Sequence, residues 1–351
     1  MITFAPGPSK VYDALPQYLQ DAYTQGILSA NHRSSKFMNL YQETEQLMRE
    51  KLHMPEDYKL MFTSSATENW EIITQSVVER ASFHIYSGSF GKKWIEFAKH
   101  IIPATSGIKI EANQSVDVSG LEISEDFDLI AITQNETANA TQVPMSVIAA
   151  IGEKFPEKMI AVDTTSSMGG IELEFGLADI WYASVQKCFG LPAGLGILIV
   201  SPKAIEKVTE KGERGRYNSL SFMLENAEGF QTHYTPNVFG IYLLNRVLKD
   251  LEEIQEVDAR LRIRMRTLED TIAKTSSLRM LVDNAETRST TVMAVTGSEE
   301  LINSIKKAAE KEEMQLGSGY GPLKPTSFRI ANFPAISDAE FEKLISFLQQ
   351  Y

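Results

Sequence analysis

Cysteine is all but missing from this sequence, with Cys188 alone among 351 residues. One thiol excludes an intramolecular disulfide and cannot build a thiolate metal cage. The five histidines, His32, His53, His84, His100 and His233, show no ligand spacing, so no metal site is expected. No apolar run approaches the ~20 residues needed to span a bilayer. The N-terminus has no basic stretch leading into an apolar one, so no signal peptide, no membrane partner and a cytoplasmic location are expected. Basic charge is also short: 34 Lys and Arg against 46 Asp and Glu leave a net charge of -12. That balance argues against nucleic acid as a partner, because phosphate backbones attract basic faces, and leaves room only for a local cationic pocket for a small anion.

What is present reads as a soluble globular chain, 43% hydrophobic and 23% charged. Its length exceeds one ordinary core, so two domains are expected. Between about 55 and 200, short apolar runs alternate with amphipathic stretches. Leu60–Phe62, Phe127–Ile132, Met159–Asp163 and Gly196–Val200 read as strands, and near-continuous apolar character predicts a parallel-rich sheet covered on both faces. Helices are predicted over Phe37–Leu52 and Met145–Lys154, over one long stretch Val238–Lys274, and over Glu299–Glu312. Residues 1–15 read as an extended arm, since Pro6, Gly7 and Pro8 forbid a helix. Arg260, Arg262, Arg264 and Arg266 are expected to form a solvated helix face.

The chemistry concentrates in the stretch from Asp163 to Gly196. Lys187 is flanked by Ala183, Val185, Phe189 and Leu191, which offer its amine little water. Desolvation lowers an amine's pKa and makes it nucleophilic, as Schiff-base chemistry requires. Asp163 ends an apolar strand, where open α/β sheets put ligand-binding groups. Either residue alone has an ordinary explanation, an edge charge for the lysine or a helix cap for the aspartate. Together they suggest pyridoxal phosphate, with the lysine on its aldehyde and the aspartate on its ring nitrogen. Thr63-Ser-Ser65-Ala66-Thr67 lies between a strand and a helix, where small hydroxylated residues suit either an anion or a plain cap.

From Phe4-Ala-Pro-Gly-Pro8 to Phe328-Arg329-Ile-Ala the chain resembles the class V, fold-type I aminotransferases, their phosphoserine branch above all. The resemblance implies an α/β fold-type I PLP-dependent transferase. It would have an N-terminal arm (1–15), a large domain (16–245) with a mostly parallel sheet flanked by helices, and a small α+β C-terminal domain (246–351). It implies catalysis by Lys187 and Asp163, with the cofactor phosphate held by Ser65, Ala66, Thr67 and Gln186. Phe90 would stack on the ring where relatives commonly have Trp, and Thr137 of Asn135-Glu136-Thr137 would bond the ring's phenolic oxygen. Gly7 and Pro8 of the arm would approach the site. Thr235 would reach the partner's cofactor phosphate across a homodimer, and Arg329 would clamp the substrate carboxylate. His32 and Arg33 match a substrate-binding His-Arg pair. The implied reaction is transamination of O-phospho-L-serine with 2-oxoglutarate. One departure stands out: a second His-Arg pair expected just before Arg329 is replaced by Pro322-Leu323-Lys324, where Lys324 offers a point charge only. Serine or alanine with a keto-acid acceptor is the alternative. A lyase or desulfurase of this fold would need a catalytic thiol, and Cys188 beside the lysine is in the wrong position. Gly317-Ser-Gly-Tyr-Gly is not a nucleophile elbow, so a hydrolase is poorly supported.

Overall fold

The computed structural model describes residues 1–351. In chain order its elements begin with β1 (Ile2–Phe4), α1 (Leu15–Thr24), α2 (Ser35–Leu52), β2 (Lys59–Thr63), α3 (Ala66–Val77), β3 (Ser82–Tyr86), α4 (Ser89–Ile101), β4 (Ser106–Lys109) and β5 (Leu129–Thr133). A short ribbon of β6 (Asn135–Glu136) and β7 (Thr141–Gln142) leads to α5 (Met145–Lys154), β8 (Met159–Asp163), β9 (Ile180–Ser184) and β10 (Gly196–Val200). After them come α6 (Pro202–Lys211), α7 (Leu220–Ala227), α8 (Val238–Asp250), α9 (Ile254–Lys274), β11 (Arg279–Met280), β12 (Val292–Thr296), α10 (Glu299–Lys311), β13 (Met314–Ser318), β14 (Ser327–Ala331) and α11 (Asp338–Leu348). No helix is long and apolar enough to cross a membrane.

Every residue of β5, β8, β9 and β10 is buried, as strands covered on both faces must be. They belong to a seven-stranded sheet in the order β2-β10-β9-β8-β5-β3-β4. All neighbours are parallel except β10, which runs antiparallel to both β9 and β2. Reversing β10 leaves β2 pointing the same way as β9. The C-terminal ends of β2, β3, β5, β8 and β9 therefore open on one edge of the sheet, the edge where such folds bind ligands.

The second sheet has five strands, β1-β13-β14-β12-β11. The N-terminal arm is not free along its whole length, because Ile2–Phe4 pairs in parallel with β13 and Phe4 is fully buried. An uncovered sheet edge leaves backbone N–H and C=O groups unpaired, and this short strand satisfies them. The expected helix over Val238–Lys274 is two helices: Leu251 is extended (φ -69°, ψ 134°) and separates α8 from α9. The break lets α8 stay packed on α2 while α9 turns toward α11. Along α9, Ile254, Val257 and Leu261 join the apolar core around the large sheet, while Met265, Leu268 and Ile272 join that of the small sheet. Arg264 is also not solvated as expected. It is buried, with Nε donating to Asp338 Oδ1 (2.6 Å) and Nη1 to the Ile336 carbonyl (2.8 Å), which ties α9 to the start of α11.

Candidate active site

Lys187 follows β9 by three residues and is only 6% exposed. Its Nζ donates to Thr137 Oγ1 at 2.7 Å. Burial pulls the amine's pKa from 10.5 down to about 8. Asp163 and Glu136 oppose that shift, and the Arg329 charge reinforces it. Asp163 ends β8, in register with Thr133 of β5 and Tyr182 of β9. Burial pushes its carboxyl above the ordinary range, against hydrogen bonds from Thr165 and Tyr182 and the Lys187 charge. The Thr165 backbone N–H donates to Asp163 Oδ1 at 2.8 Å, and Trp70 Nε1 donates to the Tyr182 hydroxyl at 2.8 Å. Trp70, Tyr182 and Asp163 thus form a buried polar chain behind the carboxylate.

Lys187, Asp163, Thr137, Thr165 and Trp70 line a cavity of about 220 Å³ with Gly7, Pro8, Ser65, Ala66, Thr67 and Phe90. Ser65 caps α3 by accepting from Glu68 N (3.2 Å). The first-turn N–H groups of Ala66 and Thr67 have no carbonyl to meet within the helix, so the positive end of α3 opens on the cavity. Phe90 is fixed from behind by Glu136, whose Oε2 accepts from the N–H of Phe90 (2.9 Å) and Gly91 (3.2 Å) and so caps α4. That arrangement requires glycine at 88, since a Cβ there would lie 2.4 Å from Glu136 Cγ. At Gly7 (φ +151°) a Cβ would lie 3.0 Å from Lys187 Cε. The arm is held there by Ser9, whose N–H and Oγ both donate to the Gln186 carbonyl (3.1 and 2.9 Å). Two buried side-chain atoms in the cavity lining, Gln186 Oε1 and Asn135 Oδ1, have no protein partner.

The cavity therefore brings together Lys187, Asp163, Thr137, Gln186, Ser65, Ala66, Thr67 and Phe90. Arg329 stands beside it on β14, with Nη1 donating to the Thr137 carbonyl (2.8 Å) and Nε to the Ser318 carbonyl (2.8 Å). The other candidates lie outside the cavity of this chain. Thr235 is exposed ahead of α8. His32 is half-buried, and exposed Arg33 donates to Gln231 Oε1 (2.7 Å). Lys324 is exposed and near enough to Lys306 of α10 to help burial lower that amine's pKa.

A model of the class-V aminotransferase family matches residues 4–331. The chain belongs to the class-V aminotransferases. It is an enzyme, a transaminase. A crystal structure of a phosphoserine aminotransferase from Cytophaga hutchinsonii is similar at 33% identity and a TM-score of 0.95, covering 99% of this chain and 98% of that one. The phosphoserine aminotransferase of Corynebacterium glutamicum is 26% identical over 97% of this chain and 92% of its own length. A pyridoxamine-pyruvate aminotransferase from Mesorhizobium loti, 21% identical with a TM-score of 0.87 over 100% of this chain and 91% of its own, shares the fold.

Sequence reasoning about this aminotransferase missed Trp70, Asn135, Thr165 and Ser184 as lining residues, and Tyr182 behind them. A signal existed for two: Tyr182 precedes Ser184 by one pleat repeat on β9, and Trp70 follows Thr67 by three residues on α3.

Proposed function

We propose that the enzyme binds pyridoxal phosphate at Lys187 and transaminates O-phospho-L-serine with 2-oxoglutarate to give 3-phosphohydroxypyruvate and L-glutamate. The observation that carries this reading is a buried, pKa-lowered lysine amine sharing one cavity with a buried aspartate and an open helix N-terminus. The residues present fit the cofactor. Lys187 suits the aldehyde, Asp163 a protonated ring nitrogen, and the α3 N-terminus with Ser65, Ala66 and Thr67 a phosphate. The unpartnered Gln186 Oε1 and Asn135 Oδ1 are further polar groups that a polar ligand would meet. Substrate identity is supported by the likeness to phosphoserine aminotransferases over nearly the full chain.

When bound, pyridoxal phosphate supplies an aldehyde carbon for amines and a protonated ring that takes up the electron pair freed at the substrate's Cα. Asp163 holds the proton on the ring nitrogen, since a buried carboxylate is best compensated by a cation. Thr137 Oγ1 accepts from Lys187 Nζ and so aims the amine into the cavity. Lys187, neutral for a large fraction of the time near pH 8, takes the Cα proton as general base and, as general acid, would deliver it to the carbon that comes from the cofactor's aldehyde rather than back to Cα. Arg329 offers a planar fork to the substrate's α-carboxylate. The Gly7–Pro8 arm segment covers the amine and keeps water out.

The working unit on this reading is a homodimer in the cytoplasm. Thr235 and Arg33 both lie outside their own cavity yet close to one segment, residues 231–235, so a second subunit could receive both. Val11, Leu19, Tyr23 and Leu28 expose apolar side chains along the first 28 residues and would gain by being covered. The exposed position of Lys324 keeps one second reading open, a small uncharged amino acid such as serine or alanine.

The test is a single-turnover assay on cofactor-loaded protein. It follows loss of the lysine-bound cofactor's absorbance band with O-phospho-L-serine, L-glutamate, L-serine and L-alanine. Rapid loss with the first two supports the proposal, and preference for serine or alanine supports the second reading. No band in protein with Lys187 intact would sink both.

A further inference from the structure

Lys93 lies three residues past Phe90 on α4, so the two side chains share one helix face. Its neighbour Lys92 pairs with Glu96, but Lys93 meets no carboxylate. Instead its Nζ donates to the Tyr320 hydroxyl at 3.2 Å and stands 5.8 Å from the Phe90 ring centroid and 5.9 Å from that of Tyr320. The Phe90 and Tyr320 rings are 5.5 Å apart and form one aromatic wall. Lys187 Nζ lies 5.3 Å from the Phe90 centroid, and the Arg329 guanidinium carbon lies 5.4 Å from that of Tyr320. Arg329 likewise has no carboxylate partner and donates to two backbone carbonyls. In a chain with 46 acidic and 34 basic residues, carboxylates were plentiful for both cations. Two cations without one, beside a cavity that holds a third, attract an anion.

An amino acid with its amine at Lys187 and its α-carboxylate at Arg329 leaves only its side chain to be recognised. Along the aromatic wall the next cation is Lys93. We infer that Lys93, steered by the Tyr320 hydroxyl, is a specificity-determining residue that takes the anionic end of the substrate side chain, phosphoryl or carboxylate. This inference rests on the aminotransferase site proposed at Lys187. It also accounts for one site serving two half-reactions, because O-phosphoserine and glutamate differ in length but both end in an anion. A flexible lysine is a point charge that can follow either. Lys324, exposed near Lys306, need not take part.

The test uses the holoenzyme with Lys93→Met, Lys93→Arg and Tyr320→Phe. Lys93→Met is expected to lower kcat/KM for O-phospho-L-serine and L-glutamate about tenfold, mostly through KM, as loss of one charge-assisted hydrogen bond implies. Serine and alanine should be unaffected. Lys93→Arg should keep most of the preference, and Tyr320→Phe should lose a smaller, severalfold part of it. Calorimetric binding of phosphoglycolate should weaken in Lys93→Met while that of glycolate does not. An unchanged ratio of anionic to neutral substrates, or an equal fall for all four amino acids, would overturn the assignment. If wild-type protein is inert toward every amino acid yet its phosphoglycolate affinity still depends on Lys93, the grip stands and the proposed reaction falls.

Discussion

At Lys187, burial does more than the neighbouring charges do, and it brings the amine pKa to about 8. The neutral amine is the nucleophile. The apoenzyme should therefore bond an aldehyde faster as pH rises, with a midpoint near 8, whereas an unshifted lysine would still be gaining at pH 10. Absorbance growth on mixing apoenzyme with pyridoxal phosphate across pH measures this. The folded chain gives up this proton at a lower pH than the unfolded chain. By linkage, Lys187 makes the fold more stable as pH rises from about 8 toward 10.5, and it costs most below 8. Asp163→Asn keeps the shape but removes the charge proposed to hold the ring nitrogen's proton. The expected loss is about 3 kcal/mol, a fall in kcat on the order of a hundredfold, with cofactor still bound through Lys187. Full activity in that variant would remove Asp163 from the mechanism. The identities of Lys187 and Asp163 were legible because their types and flanking residues already imply burial. Tyr182 and Trp70 left only a trace of spacing from Ser184 and Thr67, because an aromatic hydroxyl or indole in a buried strand or helix reads as ordinary core until its partner is known.

At the scale of elements, the helix termini position the site. The α3 N-terminus faces the cavity because Ser65 ends the turn after β2 and caps the helix. Ser65→Ala should cost about 1 kcal/mol of stability through the lost cap and should also weaken cofactor binding. Thermal melting and cofactor titration separate the two effects. The α4 N-terminus is capped from another element by Glu136, so Gly88→Ala would drive a Cβ into that carboxylate. The expected cost is ~1–3 kcal/mol, with Phe90 displaced and cofactor affinity reduced. Wild-type melting and affinity in Gly88→Ala would mean that Glu136 does not hold Phe90. The strands Met159–Asp163 and Gly196–Val200 have the bounds their apolar runs predict. The α8–α9 break was illegible because helical periodicity continues through Leu251, and only packing on α2 and α11 in different directions forces the turn.

At the scale of the whole molecule, the proposed dimer has a test that a monomer fails. Lys187→Ala lacks the amine and Thr235→Ala lacks the hydroxyl offered to a partner. Hybrids of the two, made by mixing and refolding, should regain one wild-type site per dimer if Thr235 acts in trans. If Thr235 acts within its own chain, no hybrid site exceeds the Thr235→Ala level. Activity of the mixture against each parent reads the difference. The same scale explains the arm: β1 closes the edge of the small sheet and Gly7 and Pro8 close over Lys187, so the first eight residues link both sheets to the site.

The sequence by itself determined the apolar strands β2, β5, β8 and β10, the burial of Lys187 and Asp163, and the small-residue turn before α3. Each follows from local residue types whose burial or backbone needs admit few alternatives. Only the tertiary structure decided which candidates share a cavity, that Glu136 and Tyr182 support them, that Arg264 is buried, and that Lys93 meets Tyr320 at the rim. Those facts depend on contacts between residues far apart in the chain, and they are set by strand order and helix packing, about which local pattern carries no information.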